Sequence, residues 1–122
     1  MAADQPARQS LGARRRIKRG RDFHQVRQAG ERLVRGCLIA NWRRLPSESR
    51  SRLGVVVSKK VGGAVIRNRV KRLLRESYRQ HQTELAQPVD LVLVARPSIA
   101  KQTFAGVERD FLATLRQAKL LK

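Results

Sequence analysis

The chain has 122 residues, with 28 Lys and Arg against 9 Asp and Glu, and its formal net charge of +19 at pH 7 points to a polyanionic partner such as nucleic acid. At this length, a hydrophobic content of 41% supports one domain with a modest core and excludes a wholly disordered tail protein. The single cysteine excludes an internal disulfide, and no apolar run approaches the roughly 20 residues that span a bilayer, so we expect a cytoplasmic protein without a membrane partner.

The N-terminal segment is strongly basic. It carries seven Lys or Arg and no acidic residue from Arg8 to Arg21, and it lacks the apolar stretch of a secretory signal. It loosely resembles an organellar transit peptide, although Asp4 and Pro6 weaken that interpretation. We predict that residues 1–14 are a flexible, phosphate-seeking arm and that residues 15–120 form one RNA-binding domain. The cations assigned to the arm are Arg14, Arg15, Arg16, Lys18 and Arg19.

A short helix is predicted next. It begins near Asp22, which can cap it, carries Phe23 and Val26 on one side, and ends at Gly30. On residue type alone, Phe23 on such a helix is more often a core residue than a binding residue.

Two strands follow the helix. The first covers residues 34–42, and the second covers residues 52–58. Between them, residues 45–51 have the composition of a hairpin loop. Cys37 lies within the first strand and is predicted to be a small buried apolar residue. The sequence has neither a second cysteine nor a histidine cluster to complete a metal site, so no zinc is assigned to it.

A basic helix begins after Gly62 and Gly63. The two glycines could hold a phosphate through backbone amides, but the Lys and Ser or Thr of a P-loop are absent, which favours a turn that allows close RNA approach. Eight Lys or Arg and only one acid, Glu76, occur from Lys59 to Arg79, so ion pairs within the helix cannot balance the charge and phosphates are the expected partners. The apolar stripe comprises Ile66, Val70, Leu73, Leu74 and Tyr78.

The C-terminal third is predicted to contain one strand and one helix. Residues 89–95 are a nearly continuous apolar run, typical of a strand covered on both faces, and Pro97 ends it. Residues 103–119 have the spacing of an amphipathic helix that packs on the sheet. The order helix, two strands, helix, strand, helix indicates an α/β (α+β) two-layer sandwich with a small central sheet, whose third strand runs parallel to the second.

The segment VVVSKKVGGAVIRNRVKRLLRES, with RIKRGRDFHQV before it and VDLVLVARP after it, resembles the protein subunit family of bacterial ribonuclease P. The resemblance covers about residues 15–118. It implies a left-handed βαβ crossover, whereas right-handed crossovers account for about 98% of such units.

The resemblance also implies the function. The expected protein is a cytoplasmic subunit that binds ribonuclease P RNA, one protein per RNA, and the 5′-leader of precursor tRNA. It assists endonucleolytic removal of the leader and broadens the substrate range. Catalysis belongs to the RNA and its bound Mg²⁺, so the protein is expected to have no catalytic residue, no metal or cofactor of its own, and no small-molecule substrate.

Candidate site residues follow from the family's motif. Phe23 matches an aromatic position in the leader cleft, whereas Arg27 and Asn41 stand where the family often has further aromatics. Trp42 is one residue out of phase with Asn41 and is predicted to be core. The positions matched to contact with the catalytic RNA or its junction with the leader are Lys59, Lys60, Arg67, Asn68, Arg69, Lys71, Arg72 and Arg75.

Two other functions compete. An independent nuclease would need clustered carboxylates or an acid and base pair, but Glu108 and Asp110 should point to different sides of a helix. His24 and His81 are far apart in the sequence and are both expected at the surface. A ribosomal or RNA-chaperone protein would share the charge and size of this chain but not the ordered arginine motif.

Overall fold

The computed structural model describes residues 16–17 and 20–122, which form one four-stranded mixed sheet and three helices. The α+β class is therefore confirmed, and the hand of the crossover stays a prediction. The elements are α1 (Gly20–Ala29), β1 (Glu31–Arg35), β2 (Leu38–Arg44), β3 (Arg52–Val56), α2 (Ala64–His81), β4 (Val89–Ala95) and α3 (Phe104–Gln117), with short 3₁₀ turns at Gln82–Glu84 and Pro97–Lys101.

The strand order in the sheet is β1-β2-β4-β3. As predicted, β3 and β4 are parallel, because α2 carries the chain across between them. β4 lies between β2 and β3, and six of its seven residues are buried, which confirms the strand covered on both faces. The prediction of a hairpin at residues 45–51 was wrong, since that loop joins strands separated by β4.

The predicted single strand over residues 34–42 is a hairpin of β1 and β2. Its two-residue turn contains Gly36 at φ 57°, a left-handed backbone that disfavours any other residue. The neighbouring Cys37 N–H donates to Asp110 Oδ2 of α3 at 3.0 Å. The break in the strand therefore depends on glycine conformation and on a contact 73 residues away, which the alternation of side chains does not reveal.

Helix ends follow local capping, with one error in the prediction. Thr103 caps α3 by accepting from the Gly106 N–H at 3.1 Å, close to the predicted start. The first helix begins at Gly20, so Asp22 lies inside the first turn and is not its cap. The Asp22 carboxylate instead contacts Arg52 of β3 at 3.5 Å.

The sheet separates two hydrophobic clusters of unequal size. The larger cluster lies under α2 and α3 and includes Trp42, 4% exposed, which confirms its assignment to the core. Cys37 is also buried there, and burial, with the nearby Asp110, raises the pKa of its thiol to about 12. The smaller cluster, under α1, consists of Ile17, Val26 and Val92. Ile66 was wrongly predicted to lie in the apolar stripe, since it is 41% exposed.

Candidate nucleic-acid interface

Three rows of side chains cross the sheet on the face that carries α1. The strand pairings align Arg43, Asp90 and Arg52 in the first row, and Asn41, Val92 and Gly54 in the second. The third row, called here the apolar row, consists of Val34, Ile39, Val94 and Val56. None of its four side chains is fully buried, so this end of the sheet offers an apolar surface beside α1.

Phe23 joins α1 to the second row. A Cβ built on Gly54 would lie 2.6 Å from two carbons of the Phe23 ring, so only glycine allows the ring to rest directly on the β3 backbone. Phe23 is half-buried and packs on the smaller cluster together with Val56 and Val94 of the apolar row. Phe23 therefore contributes to the core and is also partly exposed at the edge of the apolar row.

The basic residues of α2 do not all point the same way. Four of the predicted positions share one side with Arg16, Glu76 and Arg79, and together they line an open groove of about 530 Å³, called here the basic groove. Because these positions are three or four residues apart, they form one flank of the helix beside its buried stripe. The four are Asn68, Lys71, Arg72 and Arg75.

Arg16 enters this groove from a different part of the chain. The Ile17 N–H donates to Leu53 O at 2.9 Å, which fixes the segment along the free edge of β3. Burial lowers the pKa of Arg75, and the positive charge of Arg16 lowers it further. Two like charges held together in this way favour an anionic ligand between them.

Glu76, the one carboxylate among the described residues that line the groove, is already paired. It accepts from Arg79 Nε at 2.9 Å and from Gln80 Nε2 at 2.9 Å. The bonds from Arg79 and Gln80 lower the pKa of Glu76 to about 2. The groove thus keeps a strong excess of positive charge and is a poor site for a free cation.

The N-terminal end of α2 forms a second cationic area. Lys59 and Lys60 are exposed in the turn before the helix, and the N-cap Gly63 offers no side chain to the first free amides. Arg67 is half-buried, and its Nε has no hydrogen-bond partner within the part of the chain that the structure describes. A buried N–H of this kind costs about 1–3 kcal/mol if it stays unpaired, so a bound acceptor would stabilise it.

Arg69 points away from the basic groove. Its guanidinium donates to the backbone oxygens of Gln102 at 2.6 Å and Ala100 at 3.5 Å. These carbonyls end the 3₁₀ turn that leads into α3, so Arg69 ties α2 to the next helix. Although Arg69 was matched to RNA contact, its guanidinium is engaged with the protein backbone in this structure.

The three residues assigned to a leader cleft are not equivalent. Phe23 opens onto a pocket of about 230 Å³ over β3, and Arg27 is exposed one turn further along α1. Asn41 is only 3% exposed and lies in the row beneath α1, so it does not line an open surface. Arg16 and Arg75 line both this pocket and the basic groove, so the two are adjacent.

The histidines and carboxylates considered for catalysis are separated. Glu108 and Asp110 point different ways, as predicted, since Glu108 contacts His81 whereas Asp110 contacts Cys37. The prediction of a surface His81 was wrong: its ring is 17% exposed and lies between Glu84 and Glu108. Among residues 16–17 and 20–122, no group of three or more His, Cys, Asp or Glu could hold a metal ion.

Some predictions concern residues beyond the described ranges. Of the arm cations, Arg14, Arg15, Lys18 and Arg19 lie outside the described residues, whereas Arg16 lies within them. No helix in the described part of the chain is long and apolar enough to cross a membrane.

Sequence reasoning missed two contributors. Arg16 was assigned to the arm, and only the pairing of its neighbour with β3 brings it to α2. Asp90 was passed over within an apolar strand, although a charged residue in a strand covered on both faces must have partners, and that signal was available.

The fold and groove define a small α+β protein with a cationic helix flank, and comparisons with known proteins specify its family. The ribonuclease P family model matches residues 11–119. A ribonuclease P protein component from Syntrophomonas wolfei is 38% identical over 110 residues, covering 90% of this chain and 92% of that protein. The Staphylococcus aureus RNase P protein structure has a TM-score of 0.79 at 28% identity, covering 88% of this chain and 98% of that one.

The Thermotoga maritima RNase P protein, solved in complex with 1-(4-fluorophenyl)-2-thiourea, has a TM-score of 0.75 at 28% identity and covers 84% of this chain and 98% of that one. The chain belongs to the ribonuclease P protein family. It is accordingly a protein component of the tRNA-processing endoribonuclease, a ribonucleoprotein whose other subunit is RNA.

Proposed function

We propose that the chain binds ribonuclease P RNA through α2 and holds the 5′-leader of precursor tRNA on the α1 side of the sheet. The observation that carries this proposal is that the two sites lie side by side and share Arg16 and Arg75. An RNA strand that leaves the basic groove passes between these guanidinium groups and reaches the Phe23 ring without crossing an acidic surface.

Each part of this path suits one part of a nucleotide. The cations of the basic groove neutralise phosphates, and Asn68 can donate or accept a hydrogen bond. The partly exposed Phe23 ring offers a face on which a base can stack, an interaction worth roughly 1–3 kcal/mol. Arg27, exposed one turn later on α1, adds charge where the family often has a second aromatic.

In this proposal the protein performs no bond chemistry. The basic groove repels cations, and the Glu76 carboxylate in it is engaged with Arg79 and Gln80, so Mg²⁺ is held by the RNA. The protein contributes leader contacts and neutralises phosphates that would otherwise repel one another. This lowers the Mg²⁺ concentration needed for cleavage, with one protein bound per RNA.

The direct test is leader removal from precursor tRNA at low Mg²⁺, by ribonuclease P RNA with and without the protein, beside a protein-only control. Activity in the combined sample alone supports the proposal. Cleavage by the protein alone would indicate a protein nuclease. An absence of stimulation by folded protein, together with binding to ribosomal RNA, would indicate a ribosomal or chaperone role.

A single substitution tests the basic groove. Arg72→Ala removes one exposed cation, so the slope of log affinity for ribonuclease P RNA against log salt should flatten by about 0.7 to 0.9. Arg116→Ala is the matched control, because Arg116 is an exposed arginine on α3 outside the groove. Equal slopes for the Arg72 variant and the native protein would remove Arg72 from the interface.

A further inference from the structure

Asp90 is the most deeply buried charged side chain of the sheet. It lies in β4, is 0% exposed, and is the only ionisable residue of that strand. Burying a carboxylate costs free energy unless it is paired and fully hydrogen-bonded, so the neighbours of Asp90 should include its charged partners.

Two arginines on the neighbouring strands satisfy this carboxylate. Arg52 of β3 donates from Nε to Oδ1 at 2.9 Å and from a terminal nitrogen to Oδ2 at 2.8 Å, a bidentate pair. Arg43 of β2 donates from Nε to Oδ2 at 3.0 Å. The bond to Asp90 raises the pKa of Arg52.

Each arginine also reaches α1. Arg43 donates to Gln25 Oε1 at 3.2 Å, and Arg52 contacts Asp22 Oδ2 at 3.5 Å. The carboxylates of Asp90 and Asp22 balance the two guanidinium groups, and the whole network joins three strands to one side of α1. α1 also rests on the small cluster around Val26, so ion pairs and apolar packing together restrain it.

We infer that Asp90 is a positioning residue for the leader site: by orienting Arg43 and Arg52, it fixes the height and angle of α1 and thereby the Phe23 ring. Phe23 directly follows Asp22 and rests on Gly54, one row from Asp90. This inference rests on the proposed leader contact, but it makes a separate claim about which residue sets the geometry.

A purely stabilising role predicts something different. Apolar residues often replace a buried ion pair without loss of stability, so stability alone gives no reason for this network. A positioning role predicts effects confined to α1 and to leader binding. A merely structural role predicts that amide protection falls throughout the chain, in α2 and α3 as well as in α1.

The test uses Asp90→Asn, which keeps the shape of the side chain but leaves one arginine without its charged partner. The matched control is Asp110→Asn, another carboxylate that accepts from a distant element, on the opposite face of the sheet. In case Asp90→Asn fails to fold, Asp22→Asn breaks only the link from Arg52 to α1. Two quantities are measured for each variant: amide hydrogen exchange along the free chain, and the preference of the assembled holoenzyme for precursor over mature tRNA.

Asp90→Asn should speed exchange of α1 amides by about tenfold relative to those of α2, and should reduce the preference for precursor tRNA by roughly tenfold. Combining it with Phe23→Ala should reduce that preference no further than Phe23→Ala alone. Asp110→Asn should leave both the exchange of α1 relative to α2 and the preference for precursor tRNA unchanged. If α1 exchange is unchanged, or if the two losses multiply in the double variant, the positioning role is overturned.

A failure of the proposed leader contact would give a different combination of results. Suppose that Asp90→Asn speeds α1 exchange but that the Phe23→Ala holoenzyme keeps its full preference for precursor tRNA. Asp90 would then position α1, but the leader would bind elsewhere. That result would overturn both the Phe23 contact and the claim that Asp90 acts on leader binding.

Discussion

Gly54→Ala should destabilise the protein mainly through Phe23, since Ile17 Cβ would lie 3.4 Å from the added Cβ, close to an ordinary contact distance. The added Cβ would lie 2.6 Å from the ring, whereas carbon atoms in favourable contact are about 3.5–4.0 Å apart, so the ring must move by roughly 1 Å. Overpacking of this kind costs about 1–3 kcal/mol. Replacing a strand glycine by alanine returns about 0.5–1 kcal/mol, which leaves a net loss of up to about 2.5 kcal/mol.

The assay is equilibrium denaturant unfolding of four proteins: the native chain, Gly54→Ala, Phe23→Ala and the double variant. In the Phe23→Ala background the Cβ meets no ring, so Gly54→Ala should be neutral or slightly stabilising. The cycle should therefore give a coupling energy of about 1–3 kcal/mol. Gly20→Ala is the control, because a Cβ at Gly20 meets nothing within 4 Å, and it should not destabilise either background.

The reasoning would be refuted if Gly54→Ala costs the same with and without the Phe23 ring. That outcome would mean that the strain lies in the β3 backbone and that Phe23 does not rest on Gly54 in solution.

Two further predictions concern the ends of α2. Burial lowers the pKa of His81, but hydrogen bonds to the carboxylates of Glu108 and Glu84 outweigh burial and raise it. These contacts stabilise the fold fully below the unfolded pKa of about 6.5 and lose that contribution as the pH rises through the folded value. The difference in unfolding free energy between the native protein and His81→Gln should therefore shrink as the pH rises above about 6.5, and a constant difference would contradict the assignment. Arg69→Ala should lower the unfolding free energy by about 1 kcal/mol in denaturant unfolding, because it removes the bonds to Gln102 and Ala100. It should leave the slope of log RNA affinity against log salt unchanged. A flattened slope would instead show that Arg69 contacts the RNA.

Sequence patterns predicted those elements whose formation depends on local chemistry. The apolar run over residues 89–95 and the amphipathic spacing after Thr103 were sufficient for β4 and α3. Helical periodicity also grouped the cations of α2, although it could not say that Arg69 turns toward backbone carbonyls.

What the sequence did not predict depends on contacts between distant residues. The β1–β2 turn needs Gly36 and the carboxylate of Asp110, which lies on the last helix. The insertion of β4 between β2 and β3 is a property of strand order, on which side-chain alternation is silent. Arg16 joins the groove only because Ile17 pairs with β3. In each case the information lies in a pair of residues far apart in the chain.

The unequal division of the hydrophobic core has a consequence for how the molecule opens. Among residues 16–17 and 20–122, twenty buried residues make up the cluster under α2 and α3, whereas three make up the cluster under α1. Regions with little buried apolar area unfold locally at a lower free energy than the whole domain. We therefore expect α1 to open from the sheet at a lower free energy than α2, which packs on the larger cluster. Under the proposed function, such opening would let the leader bind and leave while α2 stays bound to ribonuclease P RNA.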